Sequence, residues 1–389
     1  MFLFTVTLTG ILNNTLITPA IPDILDEFGA PAERAGLLVA AGSIAGIVVA
    51  PVGGFLADRF GRRIVLTIAL AVFGVFGGLA ALAPSFSLLI LARFLMGLGS
   101  ASLVNLAVVL IGDFWSGVER TRLIGRNSAV LTVGLAAIPL MSGALTEAAG
   151  WRVTFGLYTL ALGTAAAAWL VLDDHKPADP PRATEQFKDA VIVFRRPVLR
   201  ATILAGLLVF IAIFGLFLTV MPVHLAEQFG MGAGARGLML ALPAITATFA
   251  SYNLGRMRVR FSARTVVIIS AIALMIAYVV VGLTTTLFVL VLAVLVYGFS
   301  EGYFIPMLQD LNMEDAPPQH RAVVIAVWVG FARLGQTIGP LLAGLSIGAI
   351  GTGPTFIAGS GIAGLILLLG LFGPFPAERH GMRVEAQSR

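Results

Sequence analysis

The chain has 389 residues, 58% of them hydrophobic and only 12% charged, with a mean hydropathy of +0.97. A soluble domain carries roughly 25% charged residues, so this composition excludes one and predicts an integral membrane protein. Cysteine is absent and the four histidines lack metal-ligand spacing, so no disulfide, thiol chemistry, metal or cofactor is expected.

About 20 apolar residues span a bilayer. Breaking the chain at charges, Pro and Gly gives twelve such segments, near 2–22, 35–56, 64–83, 87–111, 126–146, 152–172, 198–222, 236–255, 264–283, 286–309, 322–347 and 355–374. The first runs on from Phe2 with neither a basic n-region nor a cleavage site, so no cleavable leader is expected. If both termini are cytoplasmic, only Arg34, Arg152 and Arg236 of the 25 Lys and Arg lie outside, and Arg93 and Arg333 lie within the membrane. This asymmetry follows the excess of Lys and Arg in cytoplasmic loops. The net charge of +5 is thereby assigned to topology and the lipid surface rather than to nucleic acid. The expected location is the inner (plasma) membrane of a bacterial or archaeal cell.

Between the second and third segments runs Gly53-Gly54-Phe55-Leu56-Ala57-Asp58-Arg59-Phe60-Gly61-Arg62-Arg63. Charges at bilayer depth are costly, so this knot belongs at a membrane surface. A solvated loop would account for the arginines but not for the fixed spacing of Gly54, Asp58 and Gly61. The stretch resembles the signature between helices two and three of the major facilitator superfamily. In the fourth segment, Leu91-Ala92-Arg93-Phe94-Leu95-Met96-Gly97-Leu98-Gly99 is similar to that family's fourth-helix motif. In the fifth, Gly125, Gly134, Pro139 and Gly143 resemble the pattern of drug:proton antiporters with twelve helices, although Ile138 and Ser142 stand where that pattern has glycine. The eleventh segment keeps it better, as Gly335-Gln336-Thr337-Ile338-Gly339-Pro340. Read without the resemblance, these positions are close packing of small residues with a Pro kink.

Residues 173–200 form the one long inner connection, and its Asp173, Asp174, Pro177, Pro180 and Pro181 precede an apolar face of Phe187, Val191 and Phe194. This composition predicts a linker with an interfacial amphipathic helix between halves at 1–172 and 201–389. Shifting the chain by 201 residues superposes Phe28-Gly29 on Phe229-Gly230, Gly36-Leu37 on Gly237-Leu238 and Gly54 on Gly255. It also superposes Arg59-Phe60 on Arg260-Phe261 and Gly134, Pro139 and Gly143 on Gly335, Pro340 and Gly344. One ungapped register of this extent predicts two parallel six-helix repeats with a site between them near the bilayer midplane. The fold class is therefore all-α, with twelve membrane helices.

Polar residues that occupy the membrane in one half only need a reason of their own. Arg93 aligns with Val294, Arg333 with Thr132 and Asn14 with Gly215, and Glu301 is the acid of the tenth segment. Intramembrane ionisable groups mark a pathway or a pair, so Glu301, Arg333 and Arg93 are the candidates for proton coupling. Counting along the helices puts Glu301 and Arg333 at one depth, ~14–17 Å from the inner ends, and Asn14 and Arg93 at another, ~10–12 Å from the outer face. Asn13, Asn14 and Asn105 are also candidates for plain interhelical glue. In the resembled family helices one, four, seven and ten line the central cavity, which implies that Asn14, Arg93, Asn105, Glu301 and Tyr303 face a small-molecule substrate.

The expected function is secondary transport by alternating access by a monomer, with proton-coupled efflux of small amphipathic compounds implied by the antiporter resemblance. No phosphate-binding loop of the Gly-x4-Gly-Lys type is present, and no enzymatic chemistry is expected. A carboxyl withdrawn from water takes up a proton more readily, which suits Glu301 to exchange; pairing with Arg333 would instead keep it charged, as a gate. Two rivals stay open: a uniporter or importer of a small metabolite, anionic if Arg93 and Arg333 hold it, and a membrane receptor or assembly factor on the same scaffold. The resemblance also implies a switch at Gly54, Asp58, Arg59, Gly61, Arg62 and Arg63. There Asp58 docks on the inner end of helix eleven, a contact its aligned residue Val259 cannot make. A helix-interface hinge is expected at Gly134, Pro139, Gly143, Gly335, Gly339 and Pro340.

Overall fold

The computed structural model describes residues 2–101, 103–172, 191, 194–317 and 320–378. Of the linker expected at 173–200, residues 173–190, with Phe187, and 192–193 lie outside the described residues, as do the side chains of Asp58 and Asn105. Among the described residues there is no strand. The helices are α1, in pieces Phe2–Thr15 and Ile21–Glu27; α2, Ala35–Phe60; α3, Arg62–Ala81; and α4, described over Phe86–Ser100 and Leu103–Phe114. They continue as α5, Gly117–Ala149; α6, Trp151–Val171; α7, Pro197–Phe229; α8, Ala233–Arg260; α9, Ala263–Leu283; α10, Leu287–Asp315; α11, Arg321–Ile350; and α12, Thr352–Phe372. Among the described residues nine of these are long and apolar enough to cross a membrane.

Several helices differ from plain apolar runs. In α1 a short 3-10 turn, Thr18–Ala20, carries Pro19 and the second piece carries Pro22 near its start, because proline lacks the N–H that a continuous helix needs. In α7 the stretch Ala212–Val220 is wound as a π-helix, a register that recurs at functional sites. The 33-residue α5 and 30-residue α11 exceed the ~20 residues of a span and project beyond it.

Helix boundaries repeat in the register of the sequence. Helices start at Arg62 and Ala263, at Phe86 and Leu287, and at Trp151 and Thr352, and end at Ala149 and Ile350. The turns before them repeat too: Gly29 and Gly230 have φ of 58° and 60°, Gly150 and Gly351 of 84° and 80°. A side chain is disfavoured at such angles, which explains glycine at both copies.

Buried apolar side chains form two cores. One runs from Leu3 to Leu172 and takes in Val223; the other runs from Leu199 to Phe375. The halves meet through two helix crossings near one end. In α2 and α11, a Cβ on Gly36 would lie 2.9 Å from the Pro340 carbonyl carbon and 3.3 Å from Gly344 Cα. In α5 and α8, a Cβ on Gly143 would lie 2.9 Å from Gly237 Cα. Gly36 and Gly237, Pro340 and Pro139, and Gly344 and Gly143 are register equivalents, so the same contact is made twice about a pseudo-two-fold axis. The end where these crossings lie is poor in arginine; Arg59, Arg62, Arg63, Arg256, Arg260 and Arg264 mark the opposite, arginine-rich end.

Candidate functional site

Arg93 lies within the first piece of α4 and is fully buried. Its Nη1 donates to the Asn13 carbonyl at 2.7 Å and to Tyr158 Oη at 3.3 Å, its Nη2 to Asn14 Oδ1 at 3.2 Å, and its Nε to the Leu38 carbonyl at 3.2 Å. Asn14 Nδ2 in turn donates to Ser43 Oγ at 3.0 Å, and Asn13 Nδ2 to the Gly42 carbonyl at 2.9 Å. Asn14 and Arg93, read from sequence as lying at one depth, are thus in contact. The cluster ties α1, α2, α4 and α6 together inside the N-terminal bundle, every acceptor is neutral, and Arg93 is closed to solvent.

Glu301 stands at the middle of the 29-residue α10. One turn earlier Tyr297 is buried and stacked on Phe217 of α7 at 4.2 Å; Tyr278 of α9 is equally buried. Both tyrosines stand within electrostatic reach of the Glu301 carboxyl. The Tyr278 hydroxyl donates to the Ala212 carbonyl at 3.0 Å, at the start of the π segment, whereas the Tyr297 hydroxyl faces the Glu301 carboxyl. Arg333, on α11, turns the other way. Its Nη1 donates to Gln336 Oε1 at 3.2 Å and its Nη2 to the Ala101 carbonyl of the opposite half at 3.4 Å, just past the first described stretch of α4. No ion pair joins Glu301 and Arg333, although sequence placed them at one depth.

Tyr303, two residues beyond Glu301, is buried on another face of α10, its ring 4.8 Å from that of Phe299. It lines an open cavity of about 430 Å³ together with Phe249, Asn253, Arg256, Met257 and Arg260 of α8. Glu301 and Tyr303 therefore look into different surroundings.

In the charged turn between α2 and α3, Arg62 and Arg63 make contacts within their own half. Gly61, with φ 97°, ends one helix and starts the next. Arg62 Nε pairs with Asp113 Oδ2 at 2.8 Å, and Arg63 lies 4.2 Å over the Trp169 ring. Arg59 is exposed. Of the small residues expected at the hinge, Gly134 packs on Leu8 and Ile11 of α1, while Gly335 and Gly339 pack on α7. Pro139, Gly143 and Pro340 take part in the two crossings between halves.

A polar latch at the arginine-poor end escaped the sequence reading. Arg236 of α8, only 3% exposed, pairs with Asp23 of α1, and Asp26 and Glu147 lie within electrostatic reach of it. Glu147 Oε2 accepts from Gly234 N at 2.6 Å. The available signal was that this end holds several acids and only three arginines, one of which, Arg152, is matched to Glu27 at 2.7 Å within the same half.

A family model described as Major Facilitator Superfamily matches residues 3–235 and 214–387. Among curated relatives, the chain is 24% identical over 372 residues to the quinolone resistance protein NorA of Staphylococcus aureus (strain MRSA252), covering 91% of each. It is 22% identical over 355 residues to the bacillibactin exporter of Bacillus subtilis (strain 168), covering 87% of each. Its fold matches the structure of a bacterial homologue of the human lysosomal transporter Spinster, inward-facing and unoccupied, with a TM-score of 0.78 at 17% identity, over 95% of this chain and 94% of that one. The duplicated six-helix architecture, the charged turn at Asp58 to Arg63 and these matches agree: the chain belongs to the major facilitator superfamily of membrane transporters.

Proposed function

We propose that the protein exports small amphipathic compounds by alternating access, driven by a proton gradient, with the arginine-rich end cytoplasmic and this conformation open to that side. The observation that carries the reading is Glu301: a carboxyl at the middle of a membrane helix, without an arginine partner and beside two buried tyrosines. Such a group exchanges a proton without breaking an ion pair. The Asp23–Arg236 pair and the two glycine crossings close the outer end. Export relatives such as NorA and the bacillibactin exporter support the direction.

The test is flux in proteoliposomes with an imposed pH gradient, using ethidium and 2-naphthoate as a cationic and an anionic amphiphile. The wild type moves at least one of them in a gradient-dependent manner. Glu301→Gln keeps the shape, removes the proton, inserts and folds, and loses that dependence. Wild-type rates in Glu301→Gln remove the proton role; absence of any gradient-driven flux removes the export reading.

A further inference from the structure

The charges of the membrane interior do not balance. Arg93 and Arg333 flank α2 beside Gly42 and Gly46, one helical turn or ~6 Å apart along its axis, and neither has a carboxylate partner among the described residues. Arg93 is at least saturated by neutral acceptors. Arg333 is not: of five N–H donors it uses two, at 3.2 and 3.4 Å.

The cavity between α8 and α10 points the same way. Arg256 and Arg260 line it with Phe249, Met257 and Tyr303, and no acid lines it; Arg256 Nη1 only donates to Asn253 Oδ1 at 2.9 Å. On another face of α8, Arg258 is neutralised by Asp310 at 3.2 Å and Glu314 at 2.8 Å. The helix thus has carboxylates within reach, yet among the described residues none lines the cavity. A cytoplasmic excess of Lys and Arg accounts for basic residues at this end. It does not account for a cavity of aromatic and apolar walls with two guanidinium groups that have no ion pair among the described residues, nor for Arg333 in mid-membrane.

We propose that the exported compound is an amphipathic organic anion, an apolar or aromatic body carrying a carboxylate or similar group, met by Arg256 and Arg260 in the cavity and by Arg333 at mid-depth. The direction of transport rests on the export reading above; the charge of the ligand does not. Planar guanidinium groups match carboxylates in two-point geometry. An anion that takes Arg333 also frees the Ala101 carbonyl on the opposite half, so binding loosens a contact between the halves.

The test is binding of 2-naphthoate, 2-naphthamide and 2-naphthylmethylamine to the purified full chain in detergent, at fixed ionic strength and without a gradient. The carboxylate binds at least about tenfold tighter than the amine, the scale of one charge-assisted hydrogen bond. Arg333→Gln loses about tenfold for naphthoate and little for naphthamide, and Arg333→Lys recovers part of the loss. Arg260→Gln, on an exposed position, gives a smaller loss and serves if Arg333→Gln does not fold. Equal or tighter binding of the amine, no binding of naphthoate, or naphthoate binding unchanged in all the variants overturns the proposal. Selective naphthoate binding without gradient-driven flux overturns the export reading alone.

Discussion

Replacing Arg236 by Gln should open the arginine-poor end. The guanidinium is 3% exposed while its partner Asp23 is 40% exposed, so the pair lies between two limits. Breaking a fully buried pair costs ~3–5 kcal/mol, and an exposed pair contributes ~0–1 kcal/mol. A value of ~1–3 kcal/mol follows for this half-screened geometry, or roughly 5- to 150-fold in the ratio of closed to open. The loss should be asymmetric. Arg236→Gln leaves Asp23, Asp26 and Glu147 gathered without their cation, whereas Asp23→Asn leaves Arg236 with two carboxylates still in reach. The double variant should therefore open no further than Arg236→Gln alone, the non-additivity of a shared contact. Spin labels at Ala148→Cys and Gln228→Cys, exposed positions on opposite halves, report the distance, and the absence of native cysteine keeps the labelling specific. An unchanged distance distribution in Arg236→Gln would refute the assignment of the pair as a latch.

Two further outcomes follow from the contacts between the halves. Gly143→Ala puts a Cβ 2.9 Å from Gly237 Cα, closer than side chains tolerate, so overpacking of ~1–3 kcal/mol should lengthen the Ala148 to Gln228 distance; no change would show that the crossing yields elsewhere. Asp58→Asn removes the anion expected to dock at the start of α11 when the arginine-rich end closes, a helix-dipole contact of ~0.3–1 kcal/mol, up to ~2 if partly buried. Labels at Val118→Cys and Val259→Cys, both exposed at that end, should then report a larger open population and transport should slow with binding intact. An unchanged distribution leaves the turn as a surface anchor.

Hydropathy and one repeat register made most of the fold legible, because span length and helix boundaries depend on apolar run and turn chemistry, both of which are local. The register reached even the left-handed glycines, Gly29 with Gly230 and Gly150 with Gly351. Breaks inside helices were less legible. Pro19 and Pro22 announce the break in α1, but the π turn of α7 lies in an unbroken apolar run. For the site, counting residues gives depth and not azimuth. Depth sufficed for Asn14 and Arg93, which meet at 3.2 Å. It failed for Glu301 and Arg333, since α10 turns one toward Tyr297 while α11 turns the other toward Ala101.

The arginine-poor end shows how a duplicated chain acquires a direction. Its two crossings are copies: Gly36 on Pro340 and Gly344, Gly237 on Pro139 and Gly143. Contacts made only of backbone and glycine carry no preference between the halves, so they fix where the helices pivot. The polar contacts around them are not copies. Glu147 of α5 accepts from Gly234 of α8, whereas in the other crossing the acid is Glu33 beside α2 and the glycine is Gly348 of α11. Asp23 reaches across to Arg236, but its register equivalent His224 bonds Thr352 inside its own half at 3.0 Å, and Ala35 stands where Arg236 would be. The one ion pair between halves found at this end among the described residues is thus a departure from the repeat. Because a symmetric packing contact sets geometry and a one-sided charge pair adds energy to one closed state only, the pair is the element that biases the equilibrium. Charge changes at Asp23 or Arg236 should therefore alter populations while leaving the crossing geometry intact, and changes at the crossing glycines should alter both.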